Sequence, residues 1–559
     1  MTEGSFMFGN LFNELAILLM FSILFGFIAV RLYQPLILAF IAAGIFLGPN
    51  VLGWISASAE IDLLAKIGVT LLLFIVGLKL DFYLIRSLGI ISIATGLGQV
   101  IFTSAMGYGL CIALGLNPIA AIYVAVALTF SSTIIIVKLL SDKNEIDTLH
   151  GRIAIGYLIV QDIVVIIAIV ILSSLHLGMT SHLALSVEIF SLAAKGIGIL
   201  TVVALLARFV LPKIMHRIAK SRELLILFAI TWAIVLAGAA DFLGLSKEVG
   251  GFLAGVSLAS THYRDALTSR LETLRNFLLL FFFLDLGIKL QFSALYGHVL
   301  LATVLIIFVL IIKPLIMMII MGVMGYRKRT GFIVGLTSAQ ISEFSLIFVA
   351  LGQNLKHIDA SIVGLVTFIG IATFALSTYM ILYSHTLYSW FFPLLTMFER
   401  KKLLNHDVDL VHDQKNYDAI VFGIGRYGQM IAKILRESGL TILGVDFDPQ
   451  KIRAWKKNNF PVRFGDAEDM EFTKTLPVQH TKWVISTIPK NEPNQILMKS
   501  LKENNFSGKV VLSVFDSKEL SGMQKINPDL ILFPYKDAAA KAAQRLAKLI
   551  GFNTTTNSR

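Results

Sequence analysis

The sequence predicts a polytopic α-helical membrane protein that carries a C-terminal α/β domain. The chain of 559 residues has a mean hydropathy of +0.78, with 56% hydrophobic and only 15% charged residues. A soluble globule of this length contains more charge, so the composition indicates a membrane protein. Long apolar runs fill residues 1–395, whereas residues 417–559 read as a soluble domain. The charged stretch 396–416 between them is predicted to be a linker.

About thirteen segments approach the ~20 residues that a membrane-spanning helix needs. They are expected at 11–30, 35–53, 62–80, 88–114, 118–140, 153–175, 187–210, 223–243, 247–261, 273–290, 297–324, 330–352 and 360–384. Lys and Arg are concentrated in the loops after the odd-numbered segments, as in Arg327–Arg329 after the eleventh. Such loops face the cytoplasm, so the N-terminus is predicted outside the cell and the C-terminal domain inside. The net charge of +12 arises largely from these loops and does not indicate a nucleic-acid partner.

The predicted membrane-spanning segments contain an internal sequence repeat. The run LFIVGLKLDF recurs as FLDLGIKLQF, and FIAAGIFLG resembles GFLAGVSLA. The matched glycines lie at nearly one offset, since Gly77 and Gly287 are 210 residues apart and Gly44 and Gly255 are 211 apart. The matches join the second segment to the ninth and the third to the tenth. A step of seven helices reverses orientation, which predicts an inverted repeat of the kind found in secondary transporters.

Polar residues interrupt two spans that this repeat pairs, the fifth and the twelfth. The fifth, AVALTFSSTIIIVKLL, contains four hydroxyl residues: Thr129, Ser131, Ser132 and Thr133. The twelfth, GLTSAQISEFSLIF, contains Gln340 and Glu343. Clustered hydroxyls and amides at bilayer depth predict two broken helices that cross, with backbone groups free to coordinate an ion. Polar packing between intact helices is the open alternative.

Asp162 is the sharpest candidate for a functional residue. It follows Gln161 in the apolar run GYLIVQDIVVIIAIVIL, where a charge costs about 2.5–3.5 kcal/mol or more. Lys313, in FVLIIKPLI, is predicted to pair with Asp162 when no cation is bound; pairing with Glu343 or snorkelling is the alternative. Glu343 itself is interpreted as a helix-end acid. The oxygen-rich set around Asp162 suits a partly dehydrated monovalent cation rather than a resident metal. Competition between this cation and a proton, combined with alternating access, predicts cation/proton exchange.

Two other classes of function are weaker hypotheses. A potassium channel requires a selectivity filter of the TVGYG type, and the sequence contains no such run. A membrane oxidoreductase that uses NAD(H) requires a reactive partner for the nicotinamide, and no such site is evident in the sequence. We therefore expect a transporter rather than an enzyme.

The motifs together resemble the monovalent cation:proton antiporter-2 superfamily, and within it the Kef-type branch, over residues 12–550. The matching stretches are TFSST, GYLIVQDIVVI, SKEVGGFLAG, LFFFLDLGIKLQ, IIKP, SAQISEF and FGIGRYGQM. The resemblance implies a homodimer with core and dimerisation domains in a prokaryotic inner membrane. It implies Asp162 as the ion- and proton-binding carboxylate and Lys313 as its partner. It also implies potassium efflux in exchange for protons, and Gln161 before the aspartate favours potassium over sodium; a sodium/proton antiporter is the alternative. A soluble ancillary regulatory subunit is a further expected partner.

The sequence departs from the glutathione-gated members of that branch in two places. Those members carry an acidic loop before helix 10, whereas this chain has the arginine-rich HYRDALTSRLETLRN. They also carry basic residues after the fifth strand of the soluble domain, where this chain reads VVLSVFDSKEL. We therefore expect no gating by glutathione.

The soluble domain opens as strand, glycine-rich turn, helix and strand, in YDAIVF, GIGRYGQ, MIAKILRESG and LTILGVDFD. Gly423, Gly425 and Gly428 fit G-x-G-x-x-G, and Asp446 ends the second strand where a ribose-binding acid is expected. The predicted nucleotide contacts also include Arg426, Gln429 and Asp466. The domain resembles the potassium-conductance regulator fold, which implies a regulatory nucleotide, NAD(H) or AMP. An empty Rossmann-like scaffold that serves dimerisation is the alternative.

Overall fold

A computed structural model gives the architecture of the chain as two compact units, residues 1–401 and 402–559. The structure describes residues 11–55, 58–79, 89–143, 145–146, 148–173, 198, 201–218, 221–243, 246–261, 263–290, 296–395, 417–489, 491–515 and 527–550. The linker predicted at 396–416 lies outside these residues, so the predicted domain boundaries stay predictions.

The first unit is entirely helical in its described part. Its α-helices are α1 (Leu11–Arg31), α2 (Leu36–Leu47), α3 (Ala59–Lys79), α4 (Gly89–Ala113), α5 (Pro118–Thr129), α6 (Thr133–Asp142), α7 (Leu149–Ser173), α8 (Leu211–Ile218), α9 (Arg222–Phe242), α10 (Lys247–Ala259), α11 (Arg264–Lys289), α12 (Val299–Ile307), α13 (Lys313–Val323), α14 (Lys328–Thr337), α15 (Glu343–Asn354), α16 (Ala360–Leu382) and α17 (Ser384–Leu395). A π-helical segment, Leu206–Val210, precedes α8, and a second, Phe308–Ile312, joins α12 to α13.

Within the described residues, eight helical stretches are long and apolar enough to cross a membrane. They lie at eight of the predicted positions, and the stretch at 118–142 includes a break. The spans predicted at 35–53, 247–261, 273–290 and 330–352 correspond to α2, α10, α11 and the interrupted pair α14–α15. Most of the span predicted at 187–210 lies outside the described residues. The prediction of a polytopic helical membrane protein is therefore confirmed.

The helices of this unit form two bundles. In the first, which we call the scaffold bundle, α1–α3 pack mainly against α9–α11 around buried apolar residues such as Phe74, Leu258 and Leu284. In the second, the crossover bundle, α4–α7 pack against one another and against α12–α17. Few contacts join the two bundles, mainly between α10 and α7, α2 and α16, and α11 and α16. Because few contacts join the bundles, one can move against the other.

The four glycines that revealed the repeat form two equivalent helix crossings in the scaffold bundle. Gly44 of α2 lies against Gly287 of α11, and a Cβ on Gly44 would come within 3.1 Å of the Gly287 Cα. Gly77 of α3 lies against Gly255 of α10, where the corresponding distance is 3.0 Å. An inverted repeat requires this relation, because the first pair maps onto the second at the same offset. Backbones pack this closely only where the side chains are absent.

The second unit is a parallel α/β domain. Its elements are β1 (Ala419–Phe422), α18 (Arg426–Glu437), β2 (Ile442–Asp446), α19 (Pro449–Lys457), β3 (Val462–Phe464), α20 (Met470–Lys474), β4 (Trp483–Ser486), α21 (Asn491–Glu503), β5 (Lys509–Ser513), β6 (Leu530–Leu532) and α22 (Pro534–Ile550). All neighbouring strands pair in parallel, in the order β3-β2-β1-β4-β5-β6. This is the doubly wound order of a Rossmann-like fold, with its switch point between β1 and β4. The predicted six strands and fold class are confirmed.

Candidate functional site

The two predicted broken helices meet at the centre of the crossover bundle. One break separates α5 from α6, and the other separates α14 from α15. Ser132 caps the N-terminus of α6 and Ser342 caps that of α15, each through its side-chain oxygen. These caps are 210 residues apart, the offset read from the glycines. Ser131 Oγ donates a hydrogen bond to the carbonyl oxygen of Ser338 at 3.3 Å, so the breaks are in direct contact.

Lys313 occupies the point where the C-terminal ends of α5 and α14 converge. Its Nζ donates to the carbonyl oxygens of Phe130 at 3.1 Å and Gln340 at 2.8 Å, and the side chain is fully buried. Phe130 and Gln340 are again 210 residues apart, so one ammonium group satisfies equivalent carbonyls of the two repeats. The C-terminal end of a helix carries partial negative charge, which a buried cation stabilises. The π-helical segment before Lys313 accommodates Pro314, which cannot continue a regular hydrogen-bond ladder.

The predicted ion pair between Lys313 and Asp162 is absent from the described residues, which corrects that prediction for this conformation. Asp162 Oδ2 instead accepts a hydrogen bond from Thr133 Oγ1 at 2.9 Å. The physical reason is that the breaks in the two helices leave two buried carbonyl groups without helical hydrogen-bond donors. Leaving a buried carbonyl unpaired costs about 1–3 kcal/mol. Lys313 is the group that supplies both hydrogen bonds.

Glu343 lies at the opposite, N-terminal ends of the half-helices. It is the first residue of α15, as expected of a helix-end acid, and it is buried. Its Oε2 accepts a hydrogen bond at 2.8 Å from Oγ of Ser132, the cap of α6. A carboxylate stabilises the partial positive charge at helix N-termini. Glu343 and Lys313 therefore compensate the two kinds of helix end at this crossing.

Asp162 differs from these two charges in its accessibility. The structure leaves Asp162 and its partner Thr133 partly exposed, whereas Lys313 and Glu343 are buried. Asp162 lies in the middle of α7, beside the first residue of α6. Of the ionisable residues that the structure describes at the crossing, Asp162 is more exposed than Lys313 and Glu343.

The remaining predicted ligands are engaged in hydrogen bonds within the chain, and their role in ion binding stays a prediction. Gln161, Ser131 and Ser132 are fully buried, and their polar atoms bind other atoms of the chain. Gln161 Oε1 accepts from the backbone N–H of Ser131 at 3.1 Å, and its Nε2 donates to Gln99 Oε1. These residues hold the first break together, and they do not line the accessible surface beside Asp162.

The supporting polar residues Thr129 and Gln340 also lie at the breaks. Thr129 Oγ1 contacts Ser104 Oγ at 2.9 Å, and the Thr129 carbonyl accepts from Gln99 Nε2 at 3.2 Å. Gln340 Oε1 accepts from Ser377 Oγ at 2.9 Å, while its Nε2 has no partner among the described residues. Both residues were predicted as supporting groups, and the structure places both at the crossing.

Three of these partners were not predicted from the sequence: Gln99 and Ser104 on α4, and Ser377 on α16. Gln99 lies in the apolar run GLGQVIFTS, where a lone buried amide is as unusual as Asp162 is in α7. That signal was available in the sequence. Ser377 gives no such signal, because serine is common in membrane helices, where it can bond to its own backbone.

The glycine-rich turn of the second unit has the geometry that a dinucleotide-binding turn requires. Gly423 has a φ of +83°, in the left-handed region that favours glycine. A Cβ on Gly428 would collide with the carbonyl oxygen of Gly423, whereas a Cβ on Gly425 would meet no atom within 4 Å. The middle glycine thus leaves open space at the N-terminus of α18, where a phosphate can approach the backbone. The turn fits a bound nucleotide.

The other predicted nucleotide contacts surround this turn at the ends of the strands. Arg426 is exposed as the first residue of α18, and Gln429 lies in the same first turn. Asp446 ends β2 as predicted, but it is buried, and its carboxylate accepts from the Asp448 N–H at 2.9 Å and from Lys451 Nζ at 3.3 Å. Asp466 follows β3 and accepts from the Glu468 N–H at 3.0 Å. Their roles in nucleotide binding stay predictions.

Comparison with known protein families identifies the class of both units. Residues 16–382 match the family described as sodium/hydrogen exchanger, transmembrane, and residues 419–534 match the TrkA-N domain. The first match covers more than half of the chain, so the chain belongs to the sodium/hydrogen exchanger family. It is a cation/proton antiporter that carries a TrkA-N domain.

Individual proteins similar to this chain have names that refer to potassium efflux. The chain is 30% identical to the glutathione-regulated potassium-efflux system protein KefC of Cronobacter sakazakii, over 81% of this chain and 71% of that protein. It is 29% identical to KefC of Escherichia coli K12, over 83% of this chain and 73% of that protein. It is also 30% identical to K(+) efflux antiporter 4 of Arabidopsis thaliana, over 57% of this chain and 55% of that protein.

Two solved structures match parts of this chain. The sodium proton antiporter MjNhaP1 of Methanocaldococcus jannaschii matches 69% of this chain and 97% of its own, with 17% identity and a TM-score of 0.47. The TrkA-N domain of the Escherichia coli inner membrane protein YbaL matches 24% of this chain and 98% of its own, with 16% identity and a TM-score of 0.22.

Proposed function

We propose that this protein exports potassium in exchange for protons, with Asp162 as the group that carries either ion. The observation that supports this most directly is the exposure of Asp162 beside Thr133, at a crossing where the other charges are buried and engaged. The Asp162 carboxylate and the Thr133 hydroxyl supply hard oxygen ligands for a partly dehydrated monovalent cation. A proton and a cation then compete for one carboxylate.

Lys313 and Glu343, the two buried charges at the crossing, keep their partners during transport in this proposal, so only Asp162 changes its charge. Lys313 remains on the Phe130 and Gln340 carbonyls, and Glu343 remains on the caps of the half-helices. Both compensate fixed helix ends, so the charge that changes during the cycle is that of Asp162. Movement of the crossover bundle against the scaffold bundle would then expose Asp162 to each side in turn.

The role of Asp162 is tested by Asp162→Asn in proteoliposomes that contain a pH-sensitive dye. We expect wild-type protein to move protons when K⁺ is added and the variant to lose this exchange entirely, because an amide cannot exchange a proton for a cation. Asp241→Asn is the matched control, since Asp241 is an exposed acid at the end of α9. Undiminished exchange by a folded Asp162→Asn protein would refute the assignment.

Potassium is favoured over sodium by the Gln161–Asp162 pair and by the potassium-efflux relatives. Sodium/proton exchange is the second candidate, supported by the family to which residues 16–382 belong. The same assay separates them when K⁺ and Na⁺ are added in separate runs. Activity with Na⁺ alone would overturn the potassium assignment and leave the role of Asp162 intact.

The second unit is proposed to bind a regulatory nucleotide, NAD(H) or AMP, without glutathione. The support is the open space above Gly425 at the N-terminus of α18. We expect Gly425→Ala to weaken nucleotide binding, measured calorimetrically on the full chain, by at least about tenfold while the protein stays folded. Gly428→Ala is the matched contrast, because its Cβ would strike the Gly423 carbonyl and disturb the fold itself. Equal nucleotide affinity in wild type and Gly425→Ala would exclude this site.

The family resemblance also implies how the protein is assembled and oriented in the membrane. We propose a homodimer in a prokaryotic inner membrane, with the N-terminus outside, the nucleotide domain in the cytoplasm and an ancillary regulatory subunit as a further partner. The orientation is supported by the Lys and Arg content of the loops. Labelling of single cysteines added to opposite loops, in a Cys111→Ser background, tests the orientation.

A further inference from the structure

A small charged cavity lies where α3 begins and α11 ends, and its lining includes none of the residues described around Asp162. Its volume is about 60 Å³, and charged side chains of the scaffold bundle line one wall. These side chains are Asp62, Lys66, Glu248, Asp285 and Lys289. The opposite wall includes the amide side chains Gln353 and Asn354 at the end of α15, in the crossover bundle. The cavity therefore opens between the two bundles.

The repeat accounts for part of this charge cluster. Lys289, the last residue of α11, pairs with Asp62 of α3 at 3.3 Å. Lys79, the last residue of α3, pairs with Glu272 of α11 at 2.6 Å. The lysines are 210 residues apart, and so are the acids, which makes these two ion pairs equivalent contacts at opposite ends of the scaffold bundle. Ion pairs of this kind join α3 to α11 and need no further explanation.

Asp285 breaks this symmetry. The residue 210 positions earlier is Ile75, so the opposite end of the scaffold bundle has no corresponding acid. Asp285 is 6% exposed; its Oδ2 accepts from Lys289 Nζ at 2.6 Å, and its Oδ1 has no partner among the described residues. A buried carboxylate oxygen without a partner carries a desolvation penalty that a ligand would remove. The extra acid is thus unexplained by the repeat or by packing.

The composition of the cavity indicates the kind of ligand. Its three acids, Asp62, Glu248 and Asp285, outnumber its two lysines, Lys66 and Lys289, so the cluster lacks one positive charge. Carboxylate and amide oxygens suit a hard cation. A water needs about 10–15 Å³ of such volume, so the cavity has room for a cation with a few waters. A divalent ion would leave the cluster with excess positive charge.

We propose that this cavity is a second binding site for a partly hydrated monovalent cation, distinct from Asp162. Asp285 is its principal ligand: Oδ1 is enclosed in this conformation, and rotation of the carboxylate turns it toward the cavity, where Gln353 or Asn354 supplies oxygen from the facing bundle. Because α15 begins with Glu343 at the crossing and ends at this cavity, a cation bound here contacts the same helix that shapes the transport site. With the orientation proposed above, the site faces the outside of the cell.

The experiment measures cation binding without transport. Full-length Asp162→Asn protein, in which the proposed transport site is disabled, is heated in detergent in KCl or in choline chloride at equal ionic strength. We expect K⁺ to raise the melting temperature of this variant, with a dependence that saturates as the K⁺ concentration rises. Adding Asp285→Asn should weaken the apparent K⁺ affinity at least tenfold.

Two results would overturn the proposal: no difference between K⁺ and choline in Asp162→Asn, or the same K⁺ dependence with and without Asp285→Asn. Should the double variant fail to fold, Asp162→Asn with Glu248→Gln decides, because it removes the third acid and leaves the Lys289 ion pairs intact. Weakened K⁺ dependence there supports the site, and unchanged dependence refutes it. Neither result depends on Asp162 carrying the transported ion, so the two proposals fail separately.

Discussion

The scaffold bundle and the crossover bundle use the same 210-residue repeat in opposite ways. In the scaffold bundle the repeat places glycine against glycine, with no space between the backbones of α2 and α11 or of α3 and α10. In the crossover bundle it places break against break, and the freed backbone groups are satisfied by charged and polar side chains. Close backbone contact fixes two helices together, whereas a broken helix creates a polar site at bilayer depth.

This contrast indicates a division of work within the membrane unit. The glycine crossings hold the scaffold helices in one arrangement, against which another bundle can move. The breaks concentrate polar groups around one partly exposed acid, Asp162. The helices of each bundle pack mainly against one another, and few contacts join the two bundles. Substitutions in the two bundles should therefore have different consequences.

The largest effect on stability is expected from Lys313→Met. The substitution leaves the buried Phe130 and Gln340 carbonyls without donors. Leaving a buried acceptor unpaired costs about 1–3 kcal/mol for each group. We expect a sharp fall in melting temperature in detergent, whereas Lys247→Met, at an exposed lysine of α10, should leave it unchanged. Equal melting temperatures for Lys313→Met and wild type would contradict the role given to Lys313.

The next effect tests the scaffold bundle. Gly255→Ala places a methyl group against the Phe74 carbonyl and close to the Leu78 N–H, where overpacking costs about 1–3 kcal/mol. Gly238→Ala is the matched control, because a Cβ there meets no atom within 4 Å and alanine favours the helix. We expect a lower melting temperature for Gly255→Ala and an unchanged or higher one for Gly238→Ala. If both variants behaved alike, the glycine crossing would not be a tight contact.

Features that depend on local sequence pattern were predicted correctly. The partner of a side chain was not predicted where several distant groups could bind it. The offset read from four glycines predicted the two breaks. The Ser132 and Ser342 caps and the two carbonyls on Lys313, which only the structure shows, obey the same offset. The Rossmann-like class and the six strands of the second unit followed from its glycine-rich turn and alternating elements.

The partner of Lys313 could not be predicted in the same way. An unpaired acid and an unpaired base in apolar helices suggest an ion pair, but the free carbonyls of a broken helix can accept hydrogen bonds from the same ammonium group. The partner that the lysine binds depends on where the helix ends lie in space, and no single segment of the sequence specifies those positions. The partners of Gln161 were equally unpredictable: its side chain binds Ser131 and Gln99, and its role in ion binding stays a prediction.

The smallest expected effect lies outside the membrane-spanning segments and tests a polar cluster that the repeat does not generate. Glu145, in the loop between α6 and α7, pairs with Lys143 at 2.8 Å, His150 at 3.2 Å and His385 of α17 at 3.0 Å. Lys143 also donates to Ser384 Oγ at 3.0 Å. The cluster joins that loop to the last helix of the crossover bundle.

Burial alone would raise the pKa of Glu145, but the hydrogen bonds from His150 and His385 and the charge of Lys143 outweigh it and hold that pKa well below its ordinary value of 4.5. A carboxyl group whose pKa is lowered by folding stabilises the protein fully above its ordinary pKa, and this stabilisation is lost as the pH falls below it. Glu145→Gln should therefore lower the melting temperature at pH 5 by more than at pH 3.5. A deficit that instead grows between pH 5 and pH 3.5 would show that the ionised carboxylate is not what binds the loop to α17. Because the cluster lies away from the breaks, the variant should retain exchange that depends on Asp162, which separates stabilisation of the crossover bundle from its chemistry.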